Sequence, residues 1–118
     1  MRDRSWYRLG DALDAIAQID GLLNGKVISD LQSDRPLKAT FERFLDILSE
    51  ASRHIPEELK MSEPGIEWRQ VAGIGSHLRH AYHRVDAEIL WRLHADGKLL
   101  ELHSALARMQ STLPVPDP

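Results

Sequence analysis

Apolar residues recur along most of this chain at steps of three and four, the spacing that gathers side chains on one side of a helix. From about Ser5 to Leu23, Leu9, Ala12, Leu13, Ile16, Ile19 and Leu23 keep that spacing, while Arg8, Asp11, Asp14 and Gln18 take the other side. Asn24-Gly25 reads as the stop of this helix. Val27 to Ser33 has room for one helical turn. Asp34-Arg35-Pro36 has the form of a helix start, with proline tolerated in the first turn. A second stripe of Leu37, Phe41, Phe44, Leu45, Leu48 and Ile55 follows, through about His54. Pro56 either ends this helix or opens a short segment from Glu57 to Met61.

Ser62-Glu63-Pro64-Gly65 is the clearest loop. Ile66 to Ala72 suggests another turn, with Trp68 as a core anchor. A longer helix is predicted from about Gly73 to His94, broken by Asp96-Gly97, and a last one from about Lys98 to Gln110 with Leu99, Leu102, Leu106 and Met109 inward. No stretch alternates with period two, and there is no internal repeat. The pattern therefore predicts an all-α, up-and-down bundle of four to five helices, a single domain over residues 1–112. The three prolines of the tail, residues 113–118, lack donors for helix or strand, so that segment is expected to be disordered.

Composition narrows the class. With 118 residues, 42% apolar and 28% charged, the chain has the makeup of one modest globular core. A net charge of -3 argues against broad electrostatic capture of nucleic acid, though not against a local basic pocket. The absence of cysteine removes disulfides, a thiol nucleophile and thiolate metal ligands from consideration. No apolar run approaches a membrane span and the first residues carry no signal-peptide core, so a cytoplasmic protein is expected.

The chemistry concentrates in Gly75-Ser76-His77-Leu78-Arg79-His80-Ala81-Tyr82-His83. At about 100° per residue, an unbroken helix puts Val71, Ile74, Leu78, Ala81, Val85 and Ile89 on one side. Ser76, Arg79, His80 and His83 then fall opposite, within an arc of roughly 100°, and Tyr82 lies at the border. An imidazole that titrates near neutral pH beside a fixed cation suits phosphoryl chemistry. His80 reads either as a general acid/base or as a polar surface or dimer-contact residue. Arg79 reads either as a phosphate clamp or as a solvated helix residue that pairs with a carboxylate of a neighbouring subunit, and Tyr82 as a packed ring with an exposed hydroxyl. Adjacent pairs among His77, His80 and His83 are compatible with one cation, with Asp86 the nearby acidic candidate, but all three spread over roughly 120° of helix, so no metal is assigned. Trp6, Trp68 and Trp91 read as packing residues rather than base-stacking platforms, since no basic groove pattern accompanies them.

From Arg8 to about Met109 the chain resembles the HepT-like branch of the HEPN superfamily, small helical proteins that include toxin ribonucleases. The residues that carry this are Arg8-Leu9-Gly10-Asp11-Ala12-Leu13-Asp14-Ala15-Ile16, Ile47 to Pro56, Ile66-Glu67-Trp68-Arg69-Gln70-Val71-Ala72-Gly73, and His80-Ala81-Tyr82 followed by Val85-Asp86 and Ile89-Leu90-Trp91. The family signature is an arginine, then a polar residue, with a histidine five positions after the arginine and a tyrosine two further on. His80 and Tyr82 match; Gly75 stands at the arginine position and Ser76 at the polar one. The resemblance implies a HEPN-type bundle, a cofactor-free and metal-independent endoribonuclease as the toxin of a toxin–antitoxin module, and a homodimer with RNA as substrate. It also implies a cognate nucleotidyltransferase antitoxin that attaches AMP to Tyr82. His80 and Arg79, the latter in place of the missing arginine, would be catalytic; Ser76 and His83 would bind substrate. The other reading is a non-catalytic HEPN subunit or scaffold for a nucleotidyltransferase.

Overall fold

The computed structural model describes residues 4–80 and 86–117. Helix α1 (Ser5–Leu23) is followed by the short α2 (Ile28–Ser33) and by α3 (Arg35–Arg53). Then come α4 (Glu57–Met61), α5 (Trp68–His80), α6 (Ala87–Ala95) and α7 (Lys98–Ser111). The fold is all-α, as the periodicity predicts, and there is no strand among the described residues. The main packing pairs are α1 with α3, α3 with α5, and α1 with α7; α2 and α6 close one flank.

Local chemistry explains the boundaries. Asp34 caps α3, its Oδ1 accepting from the Leu37 N–H at 3.1 Å, with proline in the first turn where no donor is needed. Pro56 opens α4 as its N-cap rather than merely ending α3. Asp30 reaches back to accept from the Val27 N–H at 2.8 Å, which secures the six residues of α2. Gly97 stands between α6 and α7 at φ 76°, a left-handed conformation that a side chain disfavours, so the chain reverses there at little cost.

The core follows the stripes closely. Leu9, Ala12, Ile16, Ile19 and Leu23 of α1 meet Phe41, Leu45 and Leu48 of α3 and Leu102, Leu106 and Met109 of α7, all buried. Leu13 and Phe44, expected inside, are only partly covered at the edge of this cluster, and Ala15 takes the deeper place on α1. Trp68 begins α5 and packs against the core. Its indole N–H lies 3.2 Å from both the Lys60 and Glu63 carbonyls, so one side chain ties the end of α4 and the following loop to α5.

The predicted helix from Gly73 to His94 requires correction. It starts five residues earlier, at Trp68, and a separate helix begins at Ala87. Asp86 is extended (ψ 115°) and caps α6, its Oδ1 accepting from the Glu88 N–H at 2.8 Å. Because a new helix starts there, the apolar phase does not carry across. Ile89 is 55% exposed rather than inward, and Leu90 is buried in its stead. In the tail, Leu113 rests against the core, while residues 114–117 take no regular structure.

A surface ion pair pins the α4–α5 loop to α7. Glu63 Oε1 lies 2.7 Å from Arg108 Nη2 and Oε2 lies 3.1 Å from Nε, a two-point fork. The hydrogen bonds from Arg108 hold the Glu63 carboxyl below its ordinary 4.5. A carboxyl with a lowered folded-state pKa stabilises the fold above its unfolded pKa and loses that contribution as pH falls through the folded value. The Tm difference between the natural chain and Glu63→Gln is therefore expected to be largest near neutral pH and to shrink as pH drops below about 4.5; thermal melts across that range check it, and a constant difference contradicts it.

Candidate active site

The face of α5 that meets α3 is built from small residues. Ser49 of α3 is 1% exposed, and its hydroxyl sits between two backbone groups of α5. It donates to the Ala72 carbonyl at 2.8 Å and accepts from the Gly75 N–H at 2.9 Å. One turn on, the Ser52 hydroxyl donates to the Ser49 carbonyl at 2.6 Å. Both buried hydroxyls are thereby satisfied, as a water-free contact demands. So close an approach is possible because Gly75 has no side chain. A Cβ placed there would come within 3.0 Å of the Ser49 hydroxyl, of an Asp46 carboxylate oxygen and of Arg79 Nη1.

Arg79 projects over that gap. Its Nη1 donates to Asp46 Oδ1 at 3.1 Å, and the other oxygen of Asp46 accepts from Arg43 Nη1 at 3.2 Å. One carboxylate on α3 is thus shared by two guanidiniums. Arg79 is still 48% exposed, so its remaining donors have access to solvent. Glu50, one turn beyond Asp46, accepts a hydrogen bond from His54 at 3.0 Å. That bond, aided by the positive field of His54, Arg53 and Arg79 and opposed by partial desolvation, holds its carboxyl below the ordinary range. Arg8 and Asp11 of α1 join Arg43, Asp46 and Glu50 around an open depression of about 300 Å³. The ground beside Arg79 is therefore mixed in sign rather than a basic stripe.

His80 follows on the outer side of α5 and is exposed. Its Nδ1 lies 2.8 Å from the Ser76 carbonyl and 3.4 Å from the Ser76 hydroxyl. A carbonyl oxygen only accepts, so Nδ1 carries the proton. In the neutral ring the lone pair is then on Nε2, at the far edge of the imidazole, and no described residue engages it. A histidine so oriented can take a proton from a group arriving from solvent.

The structure thus brings Ser76 and His80 together and turns Arg79 aside, toward α3, rather than into the same outward arc. Tyr82 and His83 lie outside the described residues. Among those described, no three His, Asp or Glu side chains converge as metal ligands do. Trp68 and Trp91 pack against the core, and Trp6 meets Tyr7 edge-on at 5.4 Å. The sequence reading missed Asp46, Ser49, Glu50 and Arg43. Ser49 and Ser52 did leave a signal, because they interrupt the apolar stripe of α3 with small polar residues, a mark of close helix approach.

The profile of the family described as Ribonuclease HepT-like matches residues 12–109, a span that contains Asp46, Ser49, Gly75, Arg79 and His80. The chain belongs to the HepT-like ribonuclease family. It is 34% identical over 84 residues to "Probable ribonuclease HepT" of Thermococcus cleftensis, covering 71% of this chain and 76% of that protein. It is 30% identical over 69 residues to a "Putative RNase" of Caldanaerobacter subterraneus subsp. tengcongensis, covering 58% and 62% of the two chains. A "Putative RNase" of Methanocaldococcus jannaschii is 25% identical over 83 residues, covering 70% and 69%. No solved structure matches the chain.

In this HepT-like chain, Gly75 is the buried hinge of the α3–α5 contact rather than an exposed gap in a motif. Deleting the hydroxyl that bridges it, in Ser49→Ala, leaves a buried carbonyl and N–H without that partner. The variant is expected to lose about 1–3 kcal/mol of unfolding free energy, read by urea denaturation. A loss under about 0.5 kcal/mol, the range of a neutral surface change, contradicts the clasp.

Proposed function

We propose that this chain is the toxin component of a toxin–antitoxin module and a metal-independent endoribonuclease. The single observation that carries the reading is the His80 ring, anchored through Nδ1 to the Ser76 carbonyl with Nε2 facing outward, inside the span matched by the ribonuclease family. In the step this orientation suits, Nε2 takes the proton of a ribose 2′-hydroxyl. The freed oxygen bonds to phosphorus as the bond to the 5′-oxygen breaks. The departing oxygen takes a proton from an imidazolium, leaving a 2′,3′-cyclic phosphate and a 5′-hydroxyl. Arg79, through donors not given to Asp46, stabilises the charge that gathers on the phosphoryl oxygens. Ser76 and His83 lie along the same stretch of chain and would contact the substrate backbone.

Of the two histidines of α5, His77 and His80, only His80 has its ring anchored to the backbone among the described residues, and the reaction uses one imidazole to accept a proton and one to give it. A two-fold homodimer that sets two α5 helices side by side meets this need. A cognate nucleotidyltransferase would act as antitoxin by attaching AMP to Tyr82, adding bulk and negative charge two residues from His80. The cytoplasm is where such an RNase would meet its RNA; no helix among the described residues is long and apolar enough to cross a membrane.

A second reading has an observation of its own. Arg79 is already paired with Asp46, and Gly75 is buried where the family signature has arginine. That arrangement favours a non-catalytic subunit that binds the nucleotidyltransferase. Purified protein incubated with a fluorophore–quencher RNA in EDTA separates the two. The ribonuclease reading predicts cleavage in EDTA, reduced about a hundredfold or more in His80→Ala, with melting temperature nearly unchanged because the ring is exposed. Undiminished cleavage in His80→Ala removes the histidine from the mechanism, and cleavage that needs an added divalent ion restores a metal-dependent one. Absence of cleavage supports the subunit reading.

A further inference from the structure

We propose that Asp46 is a positioning residue of this site: its carboxylate draws the Arg79 guanidinium back over Gly75, into space that only a missing side chain leaves open. The proposal rests on the ribonuclease reading for its catalytic meaning, and on geometry for its substance. Side chains on a helix lean toward its N-terminus, so a residue at position 79 covers the surface one turn earlier, over position 75. Arg79 does so closely enough that a Cβ on residue 75 would fall 3.0 Å from Nη1. The same Cβ would meet Asp46 Oδ1 and Ser49 Oγ at 3.0 Å. Neither can yield freely: Ser49 is fixed by two hydrogen bonds to the α5 backbone, and Asp46 is held from its other side by Arg43.

Gly75, Arg79 and Asp46 therefore form one device. The glycine makes the seat, the arginine fills it from one turn away, and the carboxylate fixes how the guanidinium lies. An exposed arginine without such a partner samples many rotamers, whereas one N–H pinned at 3.1 Å to a braced carboxylate leaves the remaining donors in a defined direction. An arginine placed at position 75 would crowd Arg79 Nη1, Asp46 Oδ1 and Ser49 Oγ, all 3.0 Å from its Cβ. It would compete for the space that Arg79 now covers rather than add to the arrangement.

Because Asp46 acts through Arg79, the two are tested together. Asp46→Asn is expected to lower kcat for RNA cleavage about tenfold or more, the scale of a displaced catalytic group, with KM nearly unchanged. Arg79→Ala is expected to cost at least as much, and the double variant no more than Arg79→Ala alone, since Asp46 has nothing left to position. Asp46→Glu should recover part of the loss. Losses that multiply in the double variant overturn the proposal, as does a lowered Tm with normal kcat, which marks a merely structural role. A second arm does not depend on activity. In ¹⁵N NMR spectra of the arginine side chains, Arg79 should show a distinct, slowly rotating guanidinium that becomes averaged in Asp46→Asn. If the natural chain cleaves no RNA, the ribonuclease reading fails, and the NMR arm still decides whether Asp46 holds Arg79. An Arg79 signal unaltered by Asp46→Asn overturns the proposal whatever the cleavage assay gives.

Discussion

The molecule turns on the contact between α3 and α5, where the Ser49 hydroxyl bridges the Ala72 carbonyl and the Gly75 N–H. A buried hydroxyl is costly unless both its donor and acceptor capacity are used, and here both are, within one helix turn of the neighbour. The bond fixes which residues of α5 face inward. Once Gly75 is pressed against α3, Arg79 must project along the seam, and Ser76 and His80 must face away from it. The candidate chemistry is thus a consequence of packing rather than an addition to it.

That arrangement divides labour between two sides of one short helix. On the seam, groups of both signs meet locally: Arg43 and Arg79 share Asp46, and Glu50 accepts a hydrogen bond from His54. Exposed pairs of this kind add little to stability, so their value lies in direction rather than energy. On the outer side, a backbone carbonyl rather than a carboxylate holds the imidazole. A carboxylate would stabilise the imidazolium, while a carbonyl mainly fixes the tautomer and the ring's heading. A polar environment of mixed sign also agrees with a chain whose net charge is -3: any RNA contact here is local and not a matter of bulk attraction.

Much of this was legible in the sequence, and the parts that were not share a cause. Helices α1, α3 and α7 carry stripes long enough to outweigh local ambiguity, and the starts of α3 and α7 are marked by the Asp34 cap and the left-handed Gly97. The break at Asp86 was hidden because apolar residues at the right spacing continue through it, and Asp86 followed by Glu88 is a helix-start signal that periodicity overrode. Ile89 was misplaced for that reason alone. His80 and Ser76 could be paired from their spacing, since i and i+4 lie on one face. The partners of Arg79 and Gly75 could not: Asp46 is 33 residues away from Arg79 and Ser49 is 26 from Gly75, distances only the tertiary fold closes. A lone glycine at a signature position reads only as a missing side chain until the Arg79 guanidinium is seen lying over it.

The account depends most on the His80 ring being delivered with Nδ1 protonated and Nε2 outward. Long-range ¹H–¹⁵N correlation of the imidazole nitrogens, recorded on the neutral ring, reads this tautomer directly. The predicted spectrum shows a protonated Nδ1 and an unprotonated Nε2 for His80. A ring with the proton predominantly on Nε2, as in an unconstrained histidine, would contradict the orientation on which the proposed proton transfer rests.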